Sequence, residues 1–215
     1  MAKRKPGPNN GREAERILDA ALCLADAEGW NNLRLRTVAE ASGVTLAELR
    51  AHYRDQDAIA DAWFRRAQDA MLAAPPTDFF ERPVRDRLMF LLERWFGALA
   101  PYRRVTADML RAKMWYAHPH HYVPMVFNLS RLIQWLRDAA GMNAGGRQRQ
   151  IEEIGLSLLF VAALRRWCRD DSAEQERTHA WLDRRLARAD RCAALFFCKS
   201  RRTETTHPHP SSSSG

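Results

Sequence analysis

The 215-residue sequence has no apolar run long enough to span a membrane, and its basic start, Met1–Arg12, lacks the apolar segment of a secretory leader. It has four cysteines (Cys23, Cys168, Cys192, Cys198) and no C-x-x-C spacing, so reduced structural thiols in a cytoplasmic protein are expected. Period-2 alternation is missing, which argues against a sheet. Also missing are a nucleophile motif, a phosphate loop, a dinucleotide fingerprint and a matched acid/base pair, so neither catalysis nor a cofactor is expected. No internal repeat is visible. What remains is helical periodicity along most of the chain, in a length that can hold a small headpiece and a larger core-bearing domain.

The formal charge of +8 suggests nucleic acid, but its distribution does not single out one end. Residues 1–66 carry eleven Lys/Arg against ten Asp/Glu, which leaves +7 of the total in residues 67–215. Locally, Lys3, Arg4 and Lys5, with Arg12 behind them, form a basic arm that can neutralise phosphates or enter a minor groove. A solvated chain end reads equally well.

The stretch from Leu35 to Tyr53 carries the strongest signal. Leu35, Val38 and Ala39 have the i, i+3, i+4 spacing of an apolar helical stripe. Gly43 can end that helix with positive φ, and Val44 can plug the gap that follows. Thr45 and Glu48 form a capping box for a second helix, whose Leu49 and Tyr53 turn back toward the first. Leu46, Ala47 and Arg50 are left pointing outward, with His52 near the rim. Two short helices joined by a turn are the layout of a helix-turn-helix DNA reader.

Around it the sequence predicts an arm over 1–11, a headpiece over 12–66, a larger helical domain over 67–198 and a disordered tail over 199–215. Asn10 with Glu13 is a candidate cap for the first helix. A connecting helix is expected from near Asp55 toward Met71, ended by Pro75-Pro76. Further helices are expected over about 84–99, 105–115, 125–140 and 150–168. Ser172 with Gln175 is a candidate capping box for a last helix reaching about Phe197.

The stretch from Ala14 to Ala67 resembles the DNA-binding headpiece of the TetR family of bacterial regulators. The matching residues are Ile17-Leu18-Asp19-Ala20-Ala21-Leu22-Cys23-Leu24, then Gly29-Trp30, the two helices above closing on His52-Tyr53, and Asp57-Ala58-Ile59. The resemblance implies an all-α fold, with a three-helix headpiece and a larger helical ligand-binding and dimerisation domain. It implies that Arg36 and His52 hold phosphate and that Thr45, Leu46, Ala47 and Arg50 face base edges or the adjacent backbone. Gln56 would sit at the connecting helix's N-terminus, where amide dipoles favour an anion. The sequence departs from the family where Lys is frequent (Leu46, Gln56) and where an aromatic is (Arg50). Fewer cations mean weaker and less salt-dependent DNA binding, partly offset by an arginine able to grip guanine.

In the larger domain, methionines and aromatics can make adaptable apolar walls. Trp95, Met109, Met114, Trp115, Met125, Phe127 and Trp135 are the candidates, although core packing explains any one of them. The family resemblance implies a small hydrophobic effector there. Two apolar stripes, Ile151, Ile154, Leu158 and Ala162, then Trp181, Leu182, Leu186 and Ala189, are candidates for pairing with a second copy. Residues from about Leu158 to Ala194 are also similar to the C-terminal part of TetR-fold lipid-binding accessory proteins of ubiquinone biosynthesis, at Trp167, Asp170, Ser172, Leu182, Asp183 and Arg185. That similarity implies a lipid, isoprenoid or fatty-acyl ligand. His118, His120 and His121 gather three imidazoles, but Pro119 breaks any i, i+4 pairing and no carboxylate accompanies them, so no metal site is assigned.

The expected function is a homodimeric regulator, a repressor, that binds a palindromic operator and is released by its effector. The alternative is a lipid-binding accessory protein with a degenerate headpiece.

Overall fold

A computed structural model describes residues 8–113 and 122–204, with side chains over 10–112 and 128–191. Its helices are α1 (Pro8–Glu28), α2 (Leu35–Ser42), α3 (Leu46–His52), α4 (Gln56–Leu72), α5 (Val84–Leu99), α6 (Arg103–Lys113), α7 (Tyr122–Ala139), α8 (Gly146–Trp167) and α9 (Glu176–Glu204). No strand occurs among the described residues.

Both ends are more helical than the sequence suggests. α1 starts at Pro8, so Asn10 lies inside its first turn rather than at its N-cap. Proline suits that place because a first-turn amide has no helical acceptor to lose. α9 continues past Lys199, where neither proline nor glycine interrupts the run before Pro208.

The headpiece forms as its local spacing dictates. Ile17, Leu18, Ala21 and Leu22 of α1 bury against Val38 and Ala39 of α2 and Leu49 of α3. Each large side chain so buried contributes about 1.5–3 kcal/mol. Gly43 ends α2 at φ 66°, and the amides of Gly43 and Val44 close back on the Glu40 and Ala39 carbonyls at 3.2 and 3.0 Å. The Tyr53 hydroxyl donates to the Ala14 carbonyl at 2.9 Å, and burial pushes its pKa up.

α4 joins this unit to the body. Ile59, Ala62, Trp63, Ala67 and Met71 line its buried side, and it packs along α5. The Trp63 indole donates to Thr106 Oγ1 at 2.9 Å, and Thr106 donates in turn to the Tyr102 carbonyl at 2.9 Å. Arg66 pairs with Glu15 and, at 2.8 Å, with Asp19. One apolar core therefore runs from α1 through α4 to α9.

In the body, Trp95 and Phe96 of α5 meet Phe160 and Trp167 of α8, with Trp95 and Phe160 centroids 4.9 Å apart. Leu182 and Leu186 of α9, expected to meet a second copy, are buried in this core instead. An apolar stripe at helical spacing reports that a face is covered, not which chain covers it. Arg137 of α7 is also buried and binds Glu152 at 2.8 Å and Glu153 at 3.5 Å on α8.

The turn before α9 differs from the expected capping box. Asp170 is buried and accepts from Ser172 (N at 3.0 Å, Oγ at 2.5 Å) and from Thr178 (N at 2.7 Å, Oγ1 at 2.6 Å). Burial would raise its pKa, yet these four hydrogen bonds hold the carboxyl well below the usual range. Gln175 accepts from the Trp167 indole rather than capping. Glu174 and Gln175 have φ of 47° and 56°, the left-handed region that non-glycine residues seldom enter.

Candidate nucleic-acid interface

α3 is seven residues long and is held from both ends. At its start, the Glu48 amide donates to Thr45 Oγ1 at 3.2 Å, and the Thr45 amide donates to Glu48 Oε2 at 2.8 Å. The Thr45 hydroxyl also donates to Glu48, at 2.9 Å. The Thr45 amide is the main reason the Glu48 pKa is lowered, so the carboxylate is drawn to the helix start and away from its outer face. Thr45 lies exposed on that face but its hydroxyl is engaged. Leu49 anchors the inner side.

Leu46, Ala47 and Arg50 are exposed together on the outer side, Leu46 by 51%. Arg50 has no ion-pair partner among the described residues, so its guanidinium can present a bidentate fork. Leu46 offers an apolar branch of the kind that meets a thymine methyl.

Arg36 is exposed, but its Nε pairs with Glu40 one turn on at 2.9 Å. His52 and Gln56 do not join the face. The His52 side chain is only 10% exposed, with Nε2 3.6 Å from the Glu13 carboxylate of α1. Gln56 donates its amide to the Trp30 carbonyl at 2.7 Å, which fixes the turn after α1. The start of α4 already holds an anion, because Asp55 caps it by accepting from the Ala58 amide at 2.8 Å. A phosphate approaching those amides would meet a carboxylate. Spacing along the chain exposes none of these partners, since Glu13 lies far upstream of His52.

Arg34 escaped the sequence reading. It occupies the N-cap of α2 with extended backbone and no side-chain cap, is exposed, and has no ion pair among the described residues. The signal was the absence of Ser, Thr, Asp or Asn where α2 begins. Lys3, Arg4 and Lys5 lie outside the described residues.

Of the ligand-pocket candidates, Trp95 and Met109 are buried in the body. The Trp95 indole N–H has no hydrogen-bond partner among the described residues. Trp135 is 52% exposed, because Ile133, Leu136 and Ala140 take the inward face of α7 and place it outside the core. Met114 and Trp115, the side chains of Met125 and Phe127, and the His118, His120 and His121 cluster lie outside the described residues. On α8, Ile151, Ile154 and Leu158 are exposed by 71%, 62% and 68%, and Ala162 lies exposed beside them. Trp181 is half-buried and Ala189 exposed.

A helix-turn-helix unit on a helical body is the architecture of a one-component DNA-binding regulator. No family model matches the chain. A TetR transcriptional regulator from Nitrosomonas europaea is 33% identical, with a TM-score of 0.75 over 83% of this chain and 98% of that one. A TetR regulator from Rhodococcus sp. RHA1 shares the fold at 17% identity and a TM-score of 0.59, over 82% of this chain and 94% of that one. An uncharacterized HTH-type transcriptional regulator from Xanthobacter autotrophicus is 35% identical over 77 residues, 32% of this chain and 38% of that protein. The chain belongs to the TetR family of transcriptional regulators.

Proposed function

We propose that the protein is a homodimeric regulator, acting as a repressor in the cytoplasm, that binds a two-fold-symmetric operator and is released by a small hydrophobic ligand. The observation that carries this reading is the outer face of α3, where Leu46, Ala47 and Arg50 are exposed over a buried framework. The exposed stripe Ile151, Ile154, Leu158 and Ala162 on α8 supports a second copy, with Trp181 and Ala189 at its margin. Gly155 within it leaves open space for close approach. Two reading helices about one DNA turn apart would then match a palindrome.

The buried Trp95 indole, without a hydrogen-bond partner among the described residues, supports an effector that brings an acceptor to it. Such a ligand acts through the α4 helix, which touches α1 on one side and Thr106 of α6 on the other. It releases DNA only by binding one headpiece spacing more tightly than the other. The test is a gel shift on the DNA beside the protein's own gene, with oligomeric state measured in parallel. A folded dimer that binds no such DNA at low salt would remove the regulator reading.

The accessory-protein reading is favoured by a different observation: His52, Gln56 and Arg36 are all engaged within the headpiece. Native mass spectrometry showing retained lipid, with no sequence selected from a random DNA pool, would establish it instead.

A further inference from the structure

α8 changes character halfway along. In its second half the apolar side chains face the core: Phe160 and Trp167 are buried against Trp95 and Phe96 of α5, and Ala163 is buried with them. In its first half the pattern is inverted. Ile151, Ile154 and Leu158 are strongly exposed, while the Glu152 and Glu153 carboxylates are turned inward to α7. A helix start oriented by hydrophobicity alone would lie the other way, with its isoleucines inside and its glutamates in water.

The inverted half is held from α7. Arg137 is only 1% exposed and reaches Glu152 with Nη2 at 2.8 Å and Glu153 with Nη1 at 3.5 Å. Nη2 also donates to the Ala144 carbonyl at 3.4 Å, in the turn that leads into α8. Within α8, Gln148 donates to Glu152 at 3.1 Å and Arg149 to Glu153 at 2.8 Å. A guanidinium cannot give up its charge, so a buried one needs carboxylates beside it. Neighbours on a helix are about 100° apart, so drawing 152 and 153 inward sends 151 and 154 outward. The cluster is a poor source of stability, since the buried Arg137 Nε has no hydrogen-bond partner among the described residues. Apolar residues of similar volume commonly match or exceed a buried ion pair in stability, and the best-attested use of such a pair is to fix one register.

Resting on the homodimer reading, we propose that Arg137 is the positioning residue of the self-association surface. It holds the first half of α8 inverted, so that Ile151, Ile154 and Leu158 are presented to a second copy of the chain. The presented strip suits a copy of itself. From Ile154 to Leu164 the sequence has no charged residue, so two such strips meet about a two-fold axis without like charges opposed. Gly155 leaves open space within the strip for close approach. The exposed Arg165, Arg166 and Arg169, with Arg177 of α9, lie beyond its end.

Sedimentation velocity of the full chain over a concentration series measures the dimer dissociation constant. Arg137→Met is expected to raise it about tenfold or more, because the unpaired carboxylates reach water only by turning the start of α8. Hydrogen exchange should quicken over residues 146–158 and stay near the parent rate over 160–167. Arg137→Met combined with Glu152→Met is expected to recover most of the dimer, since Glu153 retains Arg149 as a partner. Arg137→Lys, which keeps the charge without the fork, should raise the constant only severalfold. A folded Arg137→Met that dimerises like the parent overturns the proposal. So does a double variant no better than the single one, which would place the effect in packing and not in charge. If Arg137→Met does not fold, the double variant and Arg137→Lys decide by the same comparison with the parent. A parent chain that stays monomeric at every concentration removes the homodimer reading itself, an outcome distinct from variants that match a dimeric parent.

Discussion

The headpiece and the body place their arginines under opposite constraints. On the headpiece, Arg36, Arg54 and Arg66 are tied to Glu40, Asp55 and the Glu15–Asp19 pair, while the exposed Arg34 and Arg50 have no ion-pair partner among the described residues. In the body, one arginine is buried between two carboxylates, while four others converge at the α8–α9 corner with no ion-pair partner among the described residues. The difference teaches that net charge is a poor guide to where this chain meets DNA. Under the proposed function, the outer face of α3 relies on shape and a single fork, so its affinity should depend weakly on salt.

The largest expected effect lies in the body. Arg137→Ala strips a buried partner from Glu152 and Glu153 and is expected to cost about 3–5 kcal/mol in denaturant unfolding. A loss below about 1 kcal/mol would mean that those carboxylates simply turn to water, and the contrast between buried and surface arginines would fail.

Next comes Asp170→Asn, expected to destabilise by about 1.5–3 kcal/mol at neutral pH through loss of charge-assisted hydrogen bonds. The parent's advantage is complete above the unfolded carboxyl value of about 4 and fades as pH falls toward the lower folded value. Paired unfolding curves should therefore converge on acidification. A gap that stays constant would show that packing, not charge, carries the effect.

Arg50→Ala addresses the headpiece directly. Operator binding is expected to weaken by about 1–3 kcal/mol, with stability unchanged to within about 0.5 kcal/mol. Fluorescence anisotropy across a salt series measures both the affinity and its slope. Thr45→Ala is expected to cost about 1 kcal/mol of stability by removing the α3 cap. The smallest effect is Glu40→Ala, which frees Arg36: stability should move by less than about 1 kcal/mol, while the salt dependence of DNA binding steepens by about one phosphate contact. An unchanged slope would show that Arg36 does not reach the backbone.

What was legible from sequence divides along the same line. Val38, Ala39, Gly43, Leu49 and Tyr53 were readable because helical period, a positive-φ glycine and a capping box are local signals. His52 and Gln56 were not, because Glu13 and the Trp30 carbonyl reach them only through the tertiary fold. Ser172 was legible as a cap by spacing, and its Oγ accepts from the Arg177 amide in the first turn of α9 at 3.2 Å, whereas the Asp170 carboxylate reaches Thr178 only across the folded turn. Leu182 and Leu186 fitted a stripe whose partner no period can name. The arginines at the α8–α9 corner sit on two helices, and their convergence needed the packing of α8 against α9.

The unbroken core through α4 has a consequence for folding. Trp63 and Met71 are covered by the body, so a fragment ending at α4 would leave that side of the helix in water. The headpiece and body should therefore melt in one cooperative transition, and limited proteolysis should yield no stable reading domain. Under the proposed function, a DNA reader so tied to its sensor would leave no constitutive fragment to escape control.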